Sequence, residues 1–174
     1  MTISELKSRF SSIERIKKGG QKVVYKATSH DGETVALKII SNATDPRVLQ
    51  EISLVKTLSM PCVPQIIESG LVTDEAVSED ALYIIEQYVD GLSLRDWINA
   101  KNVANLKFAY TLLEALLSAE IELENNQILH RDINPNNIIL GKDGVIYLID
   151  FGLAKIIGGL SLTQTAAVHG PFTP

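Results

Sequence analysis

Residues 128–152 constrain this chain more than any other stretch. They read Ile128-Leu129-His130-Arg131-Asp132-Ile133-Asn134-Pro135-Asn136-Asn137-Ile138-Ile139-Leu140, then Gly141-Lys142-Asp143-Gly144, then Val145-Ile146-Tyr147-Leu148-Ile149-Asp150-Phe151-Gly152. Two apolar, β-branched runs around a polar turn with two glycines predict a β-hairpin. That geometry brings Asp132, Asn137 and Asp150 to one end of the hairpin. A carboxylate able to accept a proton, an amide five residues later and a second carboxylate thirteen further on form a hard-oxygen set. Such a set suits Mg²⁺ and phosphate.

Composition narrows the classes. At 174 residues, 45% apolar and 21% charged, the chain has the size and balance of one globular domain. A net charge of −5 argues against nucleic acid or an anionic membrane as partner. The single cysteine, Cys62, forms no intrachain disulfide and fits a reducing compartment; beside Pro61 and Pro64 it reads as a buried filler. The first twenty residues carry Glu5, Lys7, Arg9, Glu14 and Arg15, and nowhere do eighteen apolar residues run together. A soluble, cytoplasmic protein is expected.

In chain order, Ile3, Leu6, Phe10 and Ile13 predict a helix over residues 3–13. The turn Gly19-Gly20 leads into the β-branched run Val23–Ala27, and His30-Asp31-Gly32 separates it from the strand 34–40. Lys38 stands inside that apolar strand, where an ammonium group needs anionic partners. Asp45 and Pro46 start a helix with the stripe Val48, Ile52, Val55 and Leu58; Glu51 lies close to its buried face, a surface glutamate being the other reading. Strands are expected over 65–72 and 81–89, flanking an acidic loop at 73–80. Ser93 reads as an N-cap with Asp96 at the third helical position and Trp97 and Ile98 packed inward. A longer helix spans 104–124, and its stripe Leu106, Tyr110, Leu113, Leu117 and Ile121, widened by Leu112 and Leu116, reads as core.

The pattern H-R-D-I-N-P-N-N followed by D-F-G resembles the catalytic and metal-binding loops of eukaryotic-type (Hanks-type) serine/threonine protein kinases, H-R-D-L-x-x-x-N and D-F-G. Val35-Ala36-Leu37-Lys38 resembles the family's V-A-I-K, and Glu51-Ile52 its R-E-I. The resemblance implies an α+β, bilobal kinase-like fold. Its small lobe, 1–89, would be an antiparallel sheet with one main helix, and 90–174 an incomplete, mainly helical large lobe. It further implies ATP and Mg²⁺ as cofactors and a protein Ser/Thr hydroxyl as phosphoryl acceptor. Asp132 would orient and accept the substrate proton, Asn137 and Asp150 would hold Mg²⁺, and Lys38 paired with Glu51 would position phosphates. Gly19, Gly20, Val24, Ala36, Gln87, Val89, Ser93 and Ile139 fall at nucleotide-binding positions, with Tyr88 also presenting backbone. His130 and Phe151 would stack with Val55 and Ile66 in an apolar spine.

The chain departs from the family pattern at three places. Lys17 and Lys22 stand where the phosphate loop has its first and third glycines, Glu86 is a charged gatekeeper, and Asn134 replaces the lysine that neutralises γ-phosphate charge. Low activity is therefore expected, with Lys18 and Lys22 as the nearest substitutes for the missing charge. A nucleotide-binding pseudokinase, acting as a regulatory or scaffold module, and a kinase-like small-molecule phosphotransferase are the alternatives; Arg131 favours the protein-kinase branch over the latter. Ser161, Thr163 and Thr165 resemble activation-segment hydroxyls, ordinary surface hydroxyls being the other reading, and Thr173-Pro174 the start of an A-P-E-like motif. The resemblance covers about the first two-thirds of the family's domain. A truncated chain that needs a partner chain, dimerisation or the missing remainder of the large lobe is expected.

Overall fold

The structure, a computed structural model, describes residues 1–41, 52, 55–56, 60–77, 79–126, 130 and 132–150. The N-terminus forms α1 (Ile3–Ser8), capped by a reciprocal Thr2–Glu5 box. The helix predicted over 3–13 thus stops at Ser8, and Phe10 and Ile13 belong to β1 (Phe10–Lys18). Leu6 is its one buried residue and seats α1 on the first core.

Strands β1, β2 (Lys22–Ser29), β3 (Thr34–Ser41), β4 (Ile66–Asp74) and β5 (Glu79–Gln87) form an antiparallel sheet in the order β1-β2-β3-β5-β4. The acidic loop is shorter than expected, because Thr73 pairs with Asp80 and Asp74 with Glu79, extending both strands. β3 is the central strand and is buried on both faces. Alternation sends Val35, Leu37 and Ile39 into a core with Ala27, Val72, Tyr83 and Ile85. Ala36, Lys38 and Ile40 therefore face the other side. The register sets Lys38 opposite Val24 and Ile84, and Ala36 opposite Glu86, so Lys22, Lys38 and Glu86 share that face on three adjacent strands.

A second antiparallel sheet follows in the order β6-β7-β8, from β6 (Gly91–Ser93), β7 (Ile138–Gly141) and β8 (Ile146–Leu148). Between β6 and β7 lie α2 (Leu94–Asn99) and α3 (Leu106–Asn125). Ser93 caps α2 as expected, its Oγ accepting from Asp96 N at 3.0 Å. Trp97 stacks on Phe108 with ring centroids 4.6 Å apart, whereas Ile98 faces out. The buried face of α3 carries Ala119 and Leu123, with Phe108, Leu112, Ala115 and Leu116 packed against Ile138, Ile146 and Leu148. The stripe Leu106, Tyr110, Leu113, Leu117 and Ile121 is 52–72% exposed, which corrects its reading as core. Cys62 is a half-buried free thiol against this second core, and burial raises its pKa.

Most of the helix expected from Asp45, including Glu51, lies outside the described residues; Ile52 and Val55 within it are helical and buried. Phe151 and Arg131 also lie outside them, as do Ser161, Thr163, Thr165 and the Thr173-Pro174 motif.

Gly91 opens β6 and approaches the backbone of β7 closely within the second sheet. A Cβ there would collide with the Leu140 carbonyl oxygen and lie 2.7 Å from Ile139 Cγ2. Gly91→Ala should cost about 1–3 kcal/mol as overpacking and lower the melting temperature by calorimetry. Gly20→Ala, where an added methyl meets nothing within 4 Å, should leave it unchanged.

Candidate active site

A cleft of about 350 Å³ opens between the two sheets. Val24 and Ala36 of the first sheet and Ile139 of the second give it apolar walls, and the segment Gln87–Val89 closes one side. Ser93 also lines it, as do Ile16, Pro64, Asp96, Asn136 and Ile149, which sequence reasoning did not assign to a binding site. Gly19 and Gly20 form the β1–β2 turn, where Gly19 N donates to Lys22 O at 2.7 Å, and neither lines the cleft.

At the polar end of the cleft four charged side chains form an alternating chain. Lys38 Nζ lies 2.5 Å from Glu86 Oε1 and 2.8 Å from Asp150 Oδ1, and Lys22 Nζ lies 2.7 Å from Asp150 Oδ2. Lys38 and Glu86 are 4% and 9% exposed, so these are buried pairs. Burial would lower the Lys38 pKa, but the carboxylates of Glu86 and Asp150 outweigh it and raise it, keeping the ammonium charged. Burial would likewise raise Asp150, yet Lys38 and Lys22 hold it well below the carboxylate range. At Glu86 the burial effect prevails over Lys38, and its pKa is raised. The anionic partners of Lys38 are thus Glu86 and Asp150 among the described residues, and its expected pairing with Glu51 lies outside them. The sequence held a signal for Glu86, since Leu82, Ile84 and Glu86 alternate onto one face of β5, but the register of β5 on β3 was needed to read it.

Asp150 has φ 59°, in the left-handed region that a non-glycine residue seldom occupies. Its Oδ1 is buried and accepts no aligned hydrogen bond from the described residues, so the Lys38 contact is an ion pair that leaves a carboxylate lone pair available.

The loop before β7 is built from asparagines. Asn137, 4% exposed, donates through Nδ2 to Asp132 O and Oδ2, both at 2.9 Å. Its carbonyl accepts from Ile149 N at 2.8 Å, which ties this loop to the residue before Asp150. Asn134 Nδ2 donates to Asp132 O at 3.0 Å, and Asn134 Oδ1 accepts from Asn136 N and Nδ2 at 2.9 and 3.1 Å. Both ends of the Asn134 amide are therefore spent on the loop. His130 is 1% exposed; its Nε2 meets Ile149 O at 3.1 Å and its Nδ1 accepts from Asp132 N at 3.3 Å. Burial lowers its pKa, and the neutral ring is a structural strut, as expected.

Oxygen donors fit a divalent cation here. Asp150 offers the buried lone pair, and Asn137 Oδ1 carries no hydrogen bond among the described residues.

Known proteins match the chain along nearly its whole length. It is 31% identical to the serine/threonine-protein kinase PrkC of Bacillus subtilis over 95% of the chain and 26% of that protein. It is 28% identical to the serine/threonine-protein kinase PAK 1 of Mus musculus over 99% of the chain and 31% of that protein. A probable serine/threonine-protein kinase PknB of Lactococcus lactis is 29% identical over 93% of the chain and 26% of its own length. The chain thus spans between a quarter and a third of these curated relatives. No helix of the described residues is long and apolar enough to cross a membrane. With residues 10–172 matching the protein kinase domain, the chain belongs to the protein kinase family.

Proposed function

We propose that this chain is the nucleotide-binding and catalytic part of a protein serine/threonine kinase, dependent on ATP and Mg²⁺. Residues 1–89 act as the small lobe and 90–174 as part of the large one. The observation that carries the reading is the tether from Asp132 through Asn137 to Ile149 and Asp150, which joins a carboxylate suited to proton acceptance to one suited to a cation. Asp150 lines the polar end of an apolar cleft, and Asp132 is tied to it through Asn137.

In this reading Val24, Ala36 and Ile139 enclose the adenine, and the Gln87–Val89 backbone lies along its edge. Lys38, held by Glu86 and Asp150, directs its ammonium to the phosphates. Asn137 and Asp150 would hold Mg²⁺, which when bound supplies charge stabilisation at the phosphate oxygens. Asp132, oriented by Asn137 Nδ2, accepts the hydroxyl proton as the substrate oxygen bonds to the γ-phosphorus and the bond to the β-phosphate oxygen breaks. Cytoplasmic action on a protein substrate completes the reading. A partner chain, or the rest of the large lobe, would cover the exposed stripe of α3, since a contiguous apolar patch is unusual on a lone monomer.

One observation favours a second reading, a nucleotide-binding module without turnover. Asn134 supplies no charge, and its amide is committed to Asp132 and Asn136.

Calorimetric titration of a non-hydrolysable ATP analogue should show binding strengthened by Mg²⁺ in the parent. Asp150→Asn should remove that strengthening, and identical titrations in the two proteins would reject the site. Single-turnover phosphate transfer separates the two readings. Asn134→Lys should raise the rate roughly 10²-fold, the scale of one well-placed charge donor, and Asp132→Asn should abolish it. No transfer in parent or Asn134→Lys would favour the module without turnover.

A further inference from the structure

Both carboxylate oxygens of Asp150 are occupied by ammonium groups, Oδ1 by Lys38 and Oδ2 by Lys22. The two lysines are not held alike. Lys38 has a second buried carboxylate, Glu86, and its side chain is 5% exposed. Lys22 has Asp150 as its ion-pair partner among the described residues, and its side chain is 25% exposed. Releasing Lys22 returns a charge that already touches water, whereas Lys38 is buried and bridges both carboxylates, Glu86 and Asp150.

The charges of this cluster balance, two ammonium groups against two carboxylates. A divalent cation added at Asp150 with Lys22 still on Oδ2 would set like charges side by side in a largely buried site. The triphosphate that accompanies such a cation carries excess negative charge, so it offers Lys22 an alternative partner. Lys22 begins β2, two residues before Val24 and on the same strand face, and Val24 lines the cleft. Its flexible four-carbon stem can therefore turn from Asp150 toward the cleft without backbone movement.

We propose that Lys22 is a resident counter-cation of Asp150, one that gives up Oδ2 when a metal-bound nucleotide enters and then pairs with the nucleotide's phosphates. The inference rests on the reading of the cleft as a nucleotide site and adds a residue to it. Lys22 is a nucleotide-binding residue that competes with the metal for one carboxylate oxygen. Apparent metal affinity is set by this competition, and metal-free nucleotide binding is assisted by the same ammonium group.

The test uses the full chain, Mn²⁺ as spectroscopic probe and a methylene-bridged ATP analogue. Free Mn²⁺ is read by electron paramagnetic resonance without the analogue, and metal-free analogue binding is read by calorimetry. Lys22→Met keeps the apolar stem and Lys22→Gln keeps a polar tip, and thermal melts verify that each variant folds. Both should bind Mn²⁺ with a half-saturation roughly three- to tenfold lower than the parent, the scale of one partly exposed ion pair. Both should bind the metal-free analogue more weakly. An unchanged or higher Mn²⁺ half-saturation in the folded variants would overturn the role of Lys22 while leaving the nucleotide site standing. No analogue binding by the parent, with or without Mn²⁺, would overturn the nucleotide site and this inference with it.

Discussion

A lysine ammonium on the central strand of a five-stranded sheet cannot reach bulk water, and the arrangement of the cleft follows from how that charge is met. Lys38 finds Glu86 on the neighbouring strand and Asp150 on the chain that leaves the second sheet. Removing one partner of a buried pair typically costs 3–5 kcal/mol, because the other is left uncompensated. The two sheets are therefore joined across the cleft by charge. The left-handed backbone at Asp150 is tolerated in this setting, where two lysines and the Ile149 amide bond hold the residue in place.

The asparagines of residues 134–137 perform a complementary task on the other wall. Short amides satisfy backbone and side-chain groups in a loop too tight for regular hydrogen bonding. Asn137 aligns the Asp132 carboxylate while its backbone carbonyl holds Ile149, so one residue ties Asp132 to the segment that carries Asp150. Asn134 stabilises the same loop with groups that a longer, charged side chain could not supply. The loop is thus ordered by an uncharged amide where a lysine would carry a cation.

The long helix shows the limits of periodicity. α3 carries two apolar stripes, one through Phe108, Leu112, Ala115 and Ala119 and another through Leu106, Tyr110, Leu113 and Leu117. Spacing alone identifies a helix with broad apolar coverage and does not rank its faces. The contacts with Ile138, Ile146 and Leu148 select the first stripe, and the larger side chains of the second are left outside. The helix at the N-terminus ended early for a related reason. Phe10 and Ile13 fit a helical period equally well, but pairing with β2 satisfied their backbone as a strand.

Local chemistry was legible from the amino-acid order alone. The hairpin around Gly141–Gly144, the Ser93 cap, the strands β2 and β3, and the candidate roles of Lys38, Asp132, Asn137 and Asp150 all rest on short-range patterns or on motifs within a few residues. These depend on backbone preference and side-chain alternation, which neighbouring residues determine. Which carboxylate meets Lys38, that Lys22 reaches Asp150, and which face of α3 is buried depend instead on strand register and on packing between distant segments. A charge in a strand announces that it needs a partner. Its identity is decided only when the sheet is assembled, because residues remote in sequence, such as Lys22, Lys38, Glu86 and Asp150, become neighbours through tertiary structure.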